Sequence, residues 1–193
     1  MSSKTRFNRA YKNAPRVPFN DLSKFVLFSD CHRGDNSFAD DFANNRNIYY
    51  HALKNYYDNG FTYCELGDGD ELWENIDFKS IFEAHKNVYE LLQLFFNENR
   101  LYRVLGNHDM VYKSKRYVEK NLSSYFDKVT GKDVPLFPGV KFTEGIVLKH
   151  TETDQELFLL HGHQADFMNY VGWKFNRFMV RVLWRQLQVF GIG

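Results

Sequence analysis

Four short polar stretches in this sequence carry residue types that bind metals and move protons: Ser29-Asp30-Cys31-His32, Gly67-Asp68, Gly106-Asn107-His108-Asp109 and His161. Carboxylate, imidazole and amide oxygen together suit Mn, Fe or Zn, and the set lacks the paired thiolates of a structural zinc site. Asp30 and His32 stand two apart, so an extended segment would send both side chains to one face. A single carboxylate such as Asp68 can bridge two ions about 4 Å apart. Such a pair activates a hydroxide between them and clamps phosphoryl oxygens during in-line attack. Alone, each stretch reads as an ordinary turn or helix cap. Their meaning depends on what positions them.

The apolar run Lys24 to Phe28 predicts a buried strand breaking into the first stretch, and Phe61 to Leu66 predicts another breaking into the second. Leu101 to Leu105 predicts a third, running into Gly106-Asn107-His108-Asp109. Helical spacing from Ala39 to Asp58, stopped at Asn59-Gly60, and from about Phe78 to Asn97 separates the three strands. Strand, polar loop and helix in this alternation imply an α/β fold with parallel strands. The loops would then share the carboxyl edge of the sheet, where open α/β folds bind ligands. Further on, Lys113 to Lys128 reads as a surface helix. Lys141 to Lys149 and Glu156 to Leu160 read as paired strands, the second ending at His161. A long helix follows from about Phe167.

Taken together, Ser29-Asp30-Cys31-His32, Gly67-Asp68-x-x-Glu71, Gly106-Asn107-His108-Asp109 and the strand-terminal His161 resemble the calcineurin-like metallophosphoesterase family. The resemblance spans residues 24 to 166. It implies a layered α/β/β/α sandwich and metal-dependent hydrolysis of a phosphoester or pyrophosphate bond. It also implies two divalent ions, Mn foremost with Fe, Zn or Mg as alternatives. One ion would be held by Asp30, His32 and Asp68, the other by Asp68, Asn107 and His161. His108 would protonate the leaving group and Asp109 would orient its imidazole. Arg33 and His163 are the candidate substrate contacts, Arg33 either as a bidentate phosphate clamp or as a loop ion pair with Asp35.

The family closes its site with a later Gly-His-x-His motif, and no histidine follows Asp166 here. Gly162-His163-Gln164-Ala165 supplies half of that motif, too early to replace it. The expectation is therefore a chain cut or ended early, without its last strands and with weakened metal affinity. A metal-depleted, non-catalytic binding protein of the same fold is the alternative. Gly67-Asp68-Gly69-Asp70-Glu71-Leu72-Trp73-Glu74, and His161-Gly162 followed by a long helix, look most like the branch containing the UDP-diacylglucosamine pyrophosphohydrolase. That implies a small or lipid-linked phosphorylated substrate.

At 193 residues with 25 basic and 24 acidic side chains, the chain fits one core domain and has no strong net charge. Lys4, Arg6, Arg9, Lys12 and Arg16 predict a basic flexible arm over residues 1–20. The metallophosphoesterase domain is expected at 21–166, and an amphipathic helical cap or insertion at 167–193. In that cap Lys174, Arg177, Arg181 and Arg185 share one face, which suits packing on the domain, a lid over substrate, or contact with a membrane surface. Nucleic acid is not an expected partner, because no basic stripe flanks the motifs. Two cysteines without a CxxC pair, and no signal-peptide core, point to the cytoplasm. The oligomeric state is not legible.

Overall fold

The computed structural model describes residues 2–184. It is a mixed α/β structure in which parallel strand pairing dominates the larger sheet. That sheet contains β2 (Phe25–Phe28), β3 (Thr62–Glu65), β4 (Leu101–Val104) and β7 (Phe142–Thr143), in this order and all parallel. A second sheet joins β1 (Arg16–Phe19) in parallel to β8 (Ile146–His150), and β8 in antiparallel to β9 (Glu156–Leu159). Val17, Val104, Ile146, Leu148 and Leu159 form one apolar cluster joining strands of both sheets.

The larger cluster gathers the crossover helices α2 (Arg46–Asp58), α3 (Phe78–Ala84) and α4 (Lys86–Asn97) against the first sheet. In α4 the buried residues Val88, Leu91, Leu92 and Phe95 recur at spacings of three and four, so one stripe faces Tyr63 and Leu53. Each side chain buried this fully contributes roughly 1.5–3 kcal/mol of transfer free energy. The helix expected from Phe78 to Asn97 is broken at His85. That ring is wholly buried and pairs with Asp40 at 2.8 Å, and the backbone there leaves helical geometry (φ −124°, ψ 31°).

Two other expectations are corrected. The helix read over Lys113–Lys128 stops early: α5 spans Lys115–Leu122, capped by Ser114, and the chain then forms a hairpin of β5 (Ser124–Asp127) and β6 (Lys132–Pro135). Gly131 takes the left-handed turn position (φ +67°), and the Asp127 carboxylate accepts from the backbone of Val129 and Thr130. The basic arm is also ordered. Ser3–Asn13 is helix α1, capped by Ser2, and Arg16–Phe19 is β1. Arg6 is buried, donating to the carbonyl oxygen of Gln164 at 2.5 Å, and Arg9 donates to the Tyr170 hydroxyl. Those cations are anchored inward by specific acceptors, which a count of charge in the sequence does not show.

The expected long helix after Asp166 is two short ones, α6 (Phe167–Tyr170) and α7 (Trp173–Met179), with a turn at Val171-Gly172 and a π-helical segment at Val180–Trp184. Its cations do not form one free face. Arg181 donates to the carbonyls of Leu72, Trp73 and Asn75 at 2.6–3.3 Å, and Arg177 is half-buried near Tyr117. Arg185, also expected on that face, lies outside the described residues. Among the described residues no helix is long and apolar enough to cross a membrane.

Candidate metal centre

The ends of β2, β3, β4 and β9 bring the four polar stretches together. Backbone bonds stitch the first two loops: Asp30 N–H donates to the Gly67 carbonyl at 3.1 Å, His32 to Asp68 at 2.9 Å, and Arg33 to Gly69 at 3.0 Å. The extended geometry expected between Asp30 and His32 is not what aims them. Asp30, His32 and Asp68 all lie in the left-handed region, with φ of 54°, 48° and 50°. For side-chain-bearing residues that conformation costs of order 1 kcal/mol or more, and such strain concentrates at functional sites. Glycines let the loops touch. A Cβ on Gly106 would stand 1.9 Å from Asp68 Oδ1, and one on Gly67 would stand 2.8 Å from both the Gly106 backbone and His161 Cβ.

His161 Nε2 lies 3.3 Å from both Asp30 Oδ1 and Asp68 Oδ2. His32 Nε2 lies 3.9 Å from the same two oxygens. Ligand atoms about 2.1 Å from an ion at tetrahedral angles stand about 3.4 Å apart, so this set of oxygen and nitrogen donors fits a divalent metal. Among the described residues two groups of three could hold an ion: Asp30, Asp68 and His161, and His32, Asp68 and His108. Asp68 belongs to both. Its Oδ1 also accepts from the His108 backbone N–H at 2.8 Å. Asp30, His32 and Asp68, the set the resemblance implies for one ion, also converge, with His32 Nε2 3.9 Å from each carboxylate, so His32 stands beside both Asp30 and His108. Asn107 is buried in the third loop, where its backbone carbonyl accepts from Trp73 Nε1 at 2.7 Å.

Asp109 does not orient His108. Its oxygens turn back to accept from the backbone of Gly106 (2.7 Å) and Gly69 (3.0 Å), which ties the third loop to the second. Burial, then the neighbouring Asp68 carboxylate, push its pKa well above the usual range, against the pull of the Gly106 N–H and Arg103. The orienting role falls instead to Glu71. One oxygen, Oε2, meets Nδ1 of His32 at 2.7 Å and Nδ1 of His108 at 2.6 Å. Trp73 stacks on the His108 ring at 4.0 Å and 17°. Burial opposes ionisation of Glu71, but the bonds from His108 and His32 outweigh it and bring its pKa to about 2. Burial likewise lowers the His32 pKa, and the Glu71 bond and charge overcome it, raising the value to about 9. The Asp30 carboxyl is held low in spite of burial, first by the Ser29 hydroxyl and then by His161. Glu71 stood in the sequence motif without a role; its spacing of three from Asp68 was the available signal.

Both expected substrate contacts are corrected. Arg33 is completely buried and bonded to Asp70 and Glu65 at 2.8 and 2.7 Å, so it faces away from the site and does not pair with a phosphate. His163 is also buried. Its Nδ1 stands 3.3 Å behind that of His161, its ring stacks on Tyr170, and burial, then the charge of His161, lower its pKa to about 4. The thiols of Cys31 and Cys64 are free, and burial pushes both up to about 12, so neither is a thiolate ligand at neutral pH. No family model, curated protein or solved structure matches the chain.

Proposed function

We propose that this chain is a metal-dependent phosphohydrolase that cuts a phosphoester or phosphoanhydride bond. The observation that carries the reading is the place of Asp68 between two imidazoles, 3.3 Å from His161 Nε2 and 3.9 Å from His32 Nε2, with Asp30 at the same distances from both, at the carboxyl ends of neighbouring parallel strands. Two divalent ions, when bound there, would supply a water nucleophile deprotonated at neutral pH and would neutralise phosphoryl oxygens. Asp30, His32, Asp68 and His161 would hold them, and Glu71 would keep the His32 and His108 rings in place through their Nδ1 atoms. That leaves Nε2 of His108 to carry the proton to the leaving oxygen, with Trp73 fixing the plane of the ring. The contact between the two sheets, and the helices packed on the first, suit the layered fold of the metallophosphoesterases. A lipid-linked substrate draws support from the exposed Val171, Phe175 and Phe178, on a segment that Arg181 fastens to the Leu72–Asn75 carbonyls.

Metal stoichiometry tests the reading. Protein incubated with Mn²⁺ and freed of excess is expected to retain two ions and to hydrolyse p-nitrophenyl phosphate or its diester. Asp68→Asn is expected to lose both ions, because one oxygen of the bridge becomes an amide donor. Retention of two ions by that variant removes Asp68 as the bridge. No ion in the wild-type chain turns the assignment to a non-catalytic binding protein.

A further inference from the structure

The two ring nitrogens of His161 have different surroundings. Nε2 faces Asp30 Oδ1 and Asp68 Oδ2 at 3.3 Å each, so an ion held by those carboxylates would take the Nε2 lone pair. A neutral imidazole that ligates through Nε2 carries its proton on Nδ1, and that N–H needs an acceptor. Metal-binding histidines usually find a carboxylate, a backbone carbonyl or a water for it. Here, among the described residues, the hydrogen-bonding atom that meets His161 Nδ1 is Nδ1 of His163, at 3.3 Å.

His163 is built into the fold. It is 5% exposed, and its ring stacks on that of Tyr170, with centroids 5.7 Å apart and planes at 23°. Gly162, at φ +100°, turns the chain between the two histidines, a conformation that side-chain-bearing residues rarely adopt. Arg6 of α1 fastens the turn that follows, donating to the carbonyls of Gln164 and Ala165 at 2.5 and 3.2 Å. The other ring nitrogen of His163, Nε2, is buried with no hydrogen-bond partner among the described residues. Burying a polar atom without a partner is costly, and a phenylalanine could stack on Tyr170 without that cost. Packing does not call for a histidine at this position; an acceptor behind His161 does.

We propose that His163 is a positioning residue of the metal centre: its Nδ1 accepts the Nδ1 proton of His161, which fixes the rotation of that ring and keeps its Nε2 lone pair directed at the space between Asp30 and Asp68. The proton of His163 itself then sits on Nε2, so each ring is neutral and carries one proton. The inference rests on the metal-centre reading for what His161 holds. It also extends the support of the centre to α1, through Arg6, although α1 carries none of the polar motifs.

Two substitutions separate positioning from packing. His163→Phe keeps an aromatic ring against Tyr170 but has no acceptor, whereas His163→Asn gives up the stack and places an amide oxygen near the position of Nδ1. Binding of Zn²⁺ alone to the full chain, measured by calorimetry, is expected to weaken by about ten- to a hundredfold for one ion in His163→Phe. His163→Asn should recover most of that loss, even though urea should unfold it more readily than His163→Phe. A packing role predicts the opposite order of metal affinities, and that order overturns the proposal. Nitrogen NMR of isotope-labelled imidazoles in the Zn²⁺-loaded wild type gives a readout that needs no variant. His161 should be protonated at Nδ1 and His163 at Nε2, and a proton on His163 Nδ1 refutes the assignment. Zn²⁺ binding by the wild type reports separately on the centre itself. Unaltered affinity in His163→Phe would defeat the positioning role alone, and no binding by the wild type would defeat both it and the reading beneath it.

Discussion

Two charged clusters lie back to back in this molecule, and neighbouring residues feed them both. His32 enters the open cluster while Arg33 is buried; Asp68 enters the open cluster while Asp70 is buried. The buried set is closed in charge, with two guanidiniums, Arg33 and Arg103, against two carboxylates, Glu65 and Asp70, none more than 2% exposed. The phenols of Tyr89 and Tyr112 donate to Asp70, and that of Tyr63 donates to Glu65. The open set is different. Asp30, Asp68 and Glu71 face imidazoles, backbone N–H groups and the Ser29 hydroxyl, on loops held in left-handed geometry. A charge cluster that neutralises itself is doing structural work, and one left with excess carboxylate beside strained backbone is poised for a cation.

The largest effect should come from breaking the closed set. Arg33→Met leaves Asp70 and Glu65 to share Arg103 with no water to replace the lost partner. Removing one member of a buried ion network costs about 3–5 kcal/mol. Urea unfolding of the metal-free protein measures it, and a loss below about 1 kcal/mol would mean that the pocket admits water. Because Arg33 and Asp70 also hold the loops of His32 and Asp68 together through a backbone bridge, metal affinity should fall in parallel.

The division between the clusters explains what could be read in advance. Strand runs ending at Phe28, Leu66 and Leu105 are set by apolar pattern, so the polar loops after them and the α/β class were legible. Whether a polar residue at a strand end turns outward or inward was not. Arg33 next to His32 has the composition of a phosphate clamp, and only the presence of Glu65 and Asp70, 32 and 37 residues away, turns it inward. The arm misled for the same reason: Arg6 is drawn in by carbonyls at Gln164 and Ala165, on the far side of the sequence. Glu71 shows the reverse case. It was part of a motif, but the two rings that share its oxygen come from loops that the fold alone places side by side.

An intermediate effect, and on a different readout, belongs to the open set. His108→Ala removes the proposed proton donor and should slow turnover about 10²-fold, which corresponds to about 2.7 kcal/mol in the barrier. Stability should change by no more than about 1 kcal/mol, since the ring is part-exposed and Glu71 keeps its bond to His32. The comparison is sharpened by counting metal in the same variant. Two retained ions fit an acid that does not ligate, whereas loss of one would place His108 among the ligands, where its grouping with His32 and Asp68 also permits it.

The smallest effect per measurement, and the one that isolates the closed set, is a slope. Burial alone would raise the pKa values of Asp70 and Glu65, but for Asp70 the charges of Arg33 and then Arg103 outweigh it, and for Glu65 those of Arg103 and then Arg33. Both carboxyls are therefore held below their unfolded values of about 4. On acidification the unfolded chain takes up these protons first, so stability contributed by the pair is present above about pH 4 and drains away as pH falls toward the folded values. Linkage sets the scale at about 1.4 kcal/mol per pH unit for each carboxyl that is protonated only when unfolded. Urea midpoints between pH 3 and 5, compared for wild type and Arg33→Met, read the difference directly. With one guanidinium gone the pair should protonate nearer its unfolded values and the variant's slope should flatten. Parallel slopes would place the acid sensitivity elsewhere and dissolve the distinction between a closed cluster that holds the loops and an open one that uses them.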